Sequence, residues 1–190
     1  EYADALVKEI EYSAKFVKKL RSIYVGGGTP VALSDENLVK VLKAVEKINT
    51  GVEFTVEAGR PDRITKENLA ILKDFGVTRI CVNPQTFSDE TLKRIGRNHT
   101  AAEAIEKYLL AKEDFSVNMD FIAGLEGEVF STFEKSIKKA IELSPDDITV
   151  HSLCIKHGAY LAEEKDRVDC AEIEKMVEFA EKALSDAGYR

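Results

Sequence analysis

The chain has no tryptophan, only four prolines and three cysteines, and no long apolar run. Each scarcity excludes something. Without a stretch of about 18 apolar residues, the sequence encodes no membrane-spanning helix. Cys81, Cys154 and Cys170 lie far apart and form no C-x-x-C or C-x-x-x-C pair, so these residues hold no zinc or cluster motif. An odd number of cysteines without a secretion signal fits a reducing cytoplasm, the expected compartment. Positive charge is also short: 27 Lys and Arg face 34 Asp and Glu, a net charge of −7 that argues against broad binding of nucleic-acid phosphates. What remains is an ordinary composition, 44% hydrophobic and 32% charged over 190 residues. That suits one domain, whose core removes roughly 70% of the unfolded surface from water. Residue 1 is Glu and already lies inside a helical pattern, so the chain is expected to be a piece of a longer protein.

Helical spacing and strand-like runs alternate. Leu6, Ile10, Phe16, Val17 and Leu20 mark a first helix, followed by a strand at 23–25. Ser34 is the expected cap of a helix carrying Leu38, Val41, Leu42, Val45 and Ile48. A strand at 52–57 precedes a short helix opened by Thr65 and closed by Gly76. Next come a strand at 79–83, a short helix between Ser88 and Gly96, and a helix opened by a Thr100/Glu103 capping box. A strand at 117–122 leads to a helix whose expected capping box is Ser131/Glu134. A strand at 148–152 and a last helix capped by Asp169 complete the chain, and 159–167 reads as a mobile loop. Five strands alternating with helices imply βα units and a parallel sheet or barrel.

Strand parity adds chemistry. Glu53, Thr55 and Glu57 alternate with Val52, Phe54 and Val56; Asn118 and Asp120 alternate with Val117, Met119 and Phe121; Asp147, Thr149 and His151 alternate with Ile148 and Val150. One face is apolar and the other polar, unlike strands packed on both faces. The carboxyl ends of the strands, where such folds build sites, supply in turn Gly26–Thr29, Glu57, Asn83 with Gln85, Asp120, and His151 with Cys154; Arg97 follows a short helix. Three successive glycines let backbone approach a ligand closely, and the set suits an amino-acid zwitterion plus a ribose. Each alone has a plainer reading: a tight turn for the glycines, a cap or buried ion pair for Glu57 and Asp120, a brace at Pro84 for Gln85, a surface charge for Arg97. His151 and Cys154 read as packing, and His99 as closing the turn before Thr100.

Gly26-Gly27-Gly28-Thr29-Pro30, Val56-Glu57-Ala58, Pro84-Gln85-Thr86-Phe87-Ser88-Asp89, Gly96-Arg97-Asn98-His99-Thr100 and Asn118-Met119-Asp120-Phe121-Ile122-Ala123-Gly124-Leu125 stand in family order. Together they resemble the oxygen-independent coproporphyrinogen III oxidases of the radical S-adenosylmethionine (SAM) superfamily, and in wording their oxidase-related branch. The resemblance implies an α/β fold, a partial (β/α)6 TIM-like barrel whose strands two to six are present and whose first strand is absent. Residues 1–190 are then an incomplete barrel domain without the carboxyl-terminal substrate domain.

By the same resemblance Gly27, Gly28 and Thr29 contact SAM, Glu57, Gln85 and Asp120 bind its polar groups, Arg97 pairs with its carboxylate, and Cys154 falls at the final strand's contact. No residue is assigned as catalytic. The cofactors implied are SAM and a 4Fe–4S cluster whose ligands, in a C-x-x-x-C-x-x-C loop after strand one, precede residue 1; this chain is expected to hold no metal. The activity implied for the full protein is oxidative decarboxylation of porphyrinogen propionates to vinyl groups in haem biosynthesis, with an electron donor for the cluster as partner. The alternatives are a haem-binding chaperone of the same branch or another radical SAM enzyme. Two departures stand out: Gly124-Leu125-Glu126-Gly127 replaces Gly-Leu-Pro-Gly, and the chain is shorter between Lys112 and Asn118.

Overall fold

In this computed structural model, residues 1–154 and 170–190 are described. The expected cap at Asp169 and the expected loop at 159–167 lie outside them. Helix α1 (Tyr2–Ala14) is shorter than its periodicity suggests. After Ala14 the amides of Lys15, Phe16 and Val17 bond back three residues, to Tyr12, Ser13 and Ala14. Phe16 and Val17 are exposed, so no burial offsets the entropy of another turn.

Strand β1 (Ser22–Val25) leads through the glycine loop and a 3-10 turn (Pro30–Ala32) into α2 (Asp35–Glu46), which buries the expected stripe of Leu38, Val41, Leu42 and Val45. Strand β2 (Glu53–Gly59) runs two residues beyond its expected end. Helix α3 (Lys66–Asp74) is closed at its start by Thr65, whose hydroxyl accepts from the Asn68 amide at 3.2 Å while the Asn68 side chain accepts from the Thr65 amide at 3.0 Å. Strand β3 (Arg79–Gln85) passes through Pro84, and α4 (Asp89–Arg94) follows its Ser88 cap. The Glu103 amide donates to Thr100 Oγ1 at the start of α5 (Ala101–Ala111). The shortened connection at 112–115 closes as a tight turn, Phe115 N bonding Ala111 O at 3.1 Å, before β4 (Ser116–Ala123).

Helix α6 (Phe130–Leu143) corrects an expectation. It begins one residue before Ser131, so Ser131 and Glu134 form no capping box; Val129 is the N-cap and its side chain caps nothing. The Phe130 amide instead donates to Glu172 Oε1 at 2.9 Å. A carboxylate there satisfies an orphan amide and favours the positive end of the helix dipole. Glu172 lies on α7 (Cys170–Asp186), which follows β5 (Asp147–Ser152) in the chain.

The strands form one five-stranded sheet in the order β1-β2-β3-β4-β5, and the pairings β1–β2, β2–β3 and β4–β5 are parallel. By contacts the chain divides into two compact units, Glu1–Val82 with Glu106–Val117, and Asn83–Ile105 with Asn118–Arg190. The first is built on Leu38, Leu42, Phe54, Val56, Ile64, Leu72 and Ile80; the second on Leu92, Met119, Phe121, Phe133, Ile137 and Met176, all buried.

Candidate functional site

In the first unit, the loop after β1 and the end of β2 are joined. Gly27 and Gly28 have φ of 82° and 81°, and a Cβ on either would meet nothing within 4 Å. Glycine is needed there for its left-handed backbone rather than for space. Gly26 is the reverse case: a Cβ would sit 2.6 Å from the Tyr24 ring and 3.0 Å from the Glu57 carboxyl carbon. Those two side chains close over it. The Tyr24 hydroxyl donates to Glu57 Oε1, and the Gly27 amide donates to Glu57 Oε2 at 3.3 Å. Thr29 lies beside Gly59 at the end of β2, its Oγ1 3.7 Å from where a Gly59 Cβ would stand. The glycines are exposed and Glu57 is half-buried, so loop and carboxylate are both open to a ligand.

In the second unit, β4 and β5 carry a polar relay. Thr149 Oγ1 donates to Asn118 Oδ1 at 2.9 Å, and Asn118 Nδ2 donates to Asp120 Oδ1 at 2.6 Å. Asn118 and Asp120 share a strand face by alternation, and Asp120 is the register partner of Thr149. Asn118 is buried and Asp120 half-buried, so the relay orients a carboxylate without sealing it. Gln85 ends β3 with φ of 69° and is 6% exposed. A left-handed L-residue costs about 1–2 kcal/mol unless its surroundings hold it. On the same strand Asn83 Oδ1 is buried with no partner, an omission costing about 1–3 kcal/mol that a ligand donor would remove. His99 is buried, its Nε2 3.3 Å from the Pro84 carbonyl, which ties the segment after α4 to β3. Arg97 is half-buried, its amide bonded to Leu92 O at 2.9 Å.

His151 and Cys154 are exposed, which corrects their reading as packing residues: they stand at and beyond the last turn of the strand, past its covered part. Two residues escaped the sequence. Tyr24 reads there as a strand aromatic, and only the register of β1 on β2 brings it toward Glu57. Glu128 is 7% exposed, with its Oε1 accepting from Thr86 and its Oε2 buried without a partner. Burial pushes its carboxyl up to about 7 against the opposing Thr86 hydrogen bond. In sequence it looks like any acidic turn residue beside Glu126.

Parallel strands with polar groups at their carboxyl ends define an α/β protein of the kind that seats small molecules there. Residues 2–140 match the Radical SAM superfamily, and the chain belongs to it. It is 38% identical over 180 residues to the oxygen-independent coproporphyrinogen-III oxidase-like protein HemZ of Bacillus subtilis (strain 168), covering 90% of this chain and 36% of that one. It is 36% identical over 164 residues to the heme chaperone HemW of the same organism, covering 82% and 43%. Among solved structures it superposes on the coproporphyrinogen III oxidase HemN from Escherichia coli with a TM-score of 0.86 at 24% identity, covering 100% of this chain and 46% of that one. The fold is accordingly the partial (β/α) barrel of the radical SAM type. The chain spans roughly a third to a half of the length of these relatives.

The family's cofactors are SAM and a 4Fe–4S cluster. The residues of the first unit fit the first: a glycine loop with open backbone and a carboxylate over Gly26. They do not fit the second. Among the described residues no group of three or more His, Cys, Asp or Glu is placed to hold a metal, Cys81 is buried, and Cys154 and Cys170 are free. No helix among the described residues is long and apolar enough to cross a membrane.

Proposed function

We propose that this chain is the SAM-binding barrel, residues 1–190, of a radical SAM protein that acts on tetrapyrroles, and that the whole protein converts coproporphyrinogen III propionates to vinyl groups. The observation that carries the cofactor reading is the Tyr24–Glu57–Gly27 closure over Gly26. The loop carbonyls at Gly27, Gly28 and Thr29, with Glu57, accept from the ammonium of SAM. Arg97 pairs with its carboxylate, while Gln85 and the Asn118-braced Asp120 bind ribose hydroxyls. Cys154 contacts the same ligand from beyond β5. When bound, SAM supplies a carbon-centred radical that takes hydrogen from substrate. The side chains named here bind and orient; none moves a proton in the reaction. In that reaction a propionate would give one hydrogen atom to the radical, release carbon dioxide and pass one electron to an acceptor of the whole protein, leaving a vinyl group. The cluster's ligands are not among the described residues, so an electron donor and the cluster belong to the whole protein, in the cytoplasm.

In the complete protein Glu57→Ala and Asp120→Ala are expected to abolish 5′-deoxyadenosine formation; unchanged turnover in both defeats the assignment. A second reading, a haem chaperone, is favoured by the 36% identity to HemW. A haem difference spectrum in the complete protein, without porphyrinogen turnover, selects it.

A further inference from the structure

The turn at Gln85 is held by a buried network that the proposed SAM contacts do not include. Gly127, with φ of 73°, turns the chain after β4 so that Glu128 points inward, the Glu128 amide bonding Leu125 O at 2.9 Å. The Arg94 guanidinium lies beside Gly127, where a Cβ would come within 1.5 Å of Nη1 and push that exposed side chain aside; the left-handed φ is what favours glycine there. Inside, Glu128 Oε1 accepts from the Thr86 hydroxyl. Thr86 Oγ1 accepts in turn from the Ser88 amide at 3.1 Å and lies 3.2 Å from Ser136 Oγ, which accepts from the Phe87 amide at 3.0 Å. Ser136 is anchored to its own helix, donating to Thr132 O at 3.2 Å. Thr86, Glu128 and Ser136 are all buried. Two groups of the segment directly after Gln85, the Thr86 hydroxyl and the Phe87 amide, thus end on side chains from the β4 exit and from α6.

We propose that Glu128 is a positioning residue for SAM: through the Thr86 hydroxyl it holds the left-handed turn at Gln85 and so aims the Gln85 side chain. This rests on the reading of Gln85 as a SAM contact. A purely structural Glu128 would be a poor choice. A buried carboxyl with one orphaned oxygen is costly, and a hydrophobe would fill the place at less expense. The carboxyl supplies what a hydrophobe cannot, an acceptor that fixes the Thr86 hydroxyl, whose own lone pair then receives the Ser88 amide. An αL turn at a non-glycine residue needs that support from outside itself.

The test uses the complete protein with its cluster reconstituted, and reads SAM affinity by equilibrium dialysis and amide exchange by mass spectrometry. Glu128→Ala is expected to weaken SAM binding about tenfold, the worth of roughly one hydrogen bond, and to speed exchange at Phe87 and Ser88. Glu128→Gln, which keeps the accepting oxygen, is expected to restore both. Thr86→Val removes only the connecting hydroxyl, is expected to match Glu128→Ala, and replaces it if that variant fails to fold. In a Gln85→Ala background Glu128→Ala is expected to cost nothing more, since groups acting through one another are not additive. Wild-type affinity in Gln85→Ala overturns the assignment of Gln85 and the inference with it. A loss in Gln85→Ala combined with no loss, or a fully additive loss, on changing Glu128 overturns the inference alone.

Discussion

Glu128 carries a pH dependence of definite sign. Its folded carboxyl titrates at about 7 against an ordinary 4.5, because burial disfavours the charge. The folded state therefore holds the proton more tightly than the unfolded one. The stability this group allows is complete below pH 4.5 and declines as pH rises through 7. Urea midpoints of the wild type are expected to fall between pH 5 and pH 8, by on the order of 2–3 kcal/mol of stability, and Glu128→Gln is expected to flatten that slope. An equally steep slope in the variant assigns the effect elsewhere. At the glycine loop two substitutions separate two causes. Gly27→Ala meets open space and is expected to cost about 1–2 kcal/mol through its φ alone. Gly26→Ala drives a methyl into Tyr24 and Glu57, so its main effect is expected on SAM affinity, by displacing the carboxylate; retention of SAM by that variant counts against the cradle. The glycine run was legible because three glycines in a row announce an unencumbered backbone. Glu128 was not, since the burial that makes it unusual comes from Thr86 and Ser136, 42 and eight residues away in sequence.

At the scale of elements, the local capping signals hold at α3 and α4, whereas Ser34 stands at the N-cap of α2 without a side-chain cap hydrogen bond. Thr65 caps α3 with Asn68, three residues on, and Ser88 caps α4 with Thr91. Strand parity survives in β4 except at Asn118: Val117, Met119, Phe121 and Ala123 are buried and Asp120 and Ile122 only half covered, but Asn118 is buried too. The start of α6 differs from the expected one because its cap comes from Glu172, 42 residues downstream, and no local pattern reports that. Helix α1 ends before its periodicity does, because periodicity says which face a helix would bury but not whether anything covers that face. Glu172→Ala is expected to lower stability by about 1 kcal/mol, the usual worth of a cap, and to speed exchange at the Phe130 amide; Thr65→Ala is expected to cost a similar amount. No change in either would mean that those ends are held by packing alone. The burial of Phe121, in edge contact with Phe87 at 5.3 Å, predicts a loss of about 3–5 kcal/mol in Phe121→Ala, checked by the same urea titration.

For the whole molecule, class is legible in motif order, because βα alternation is a property of the entire chain. The three cysteines are free, Cys81 buried and the other two exposed. The net charge of −7 leads to an expectation at this scale. The chain should pass through a heparin column at physiological salt, because no counterion release rewards contact with a polyanion; retention that weakens with added salt would reveal a basic surface that the overall balance hides.

The left-handed backbone at Gln85 places two demands on one position. Glycine would relax the main chain there, yet it would remove the amide that the proposed ligand contact needs. A library randomised at residue 85 and sorted only for heat resistance should drift toward glycine. The same library sorted for cofactor retention should return glutamine. The gap between the two winners would measure how much robustness this position gives up for its task.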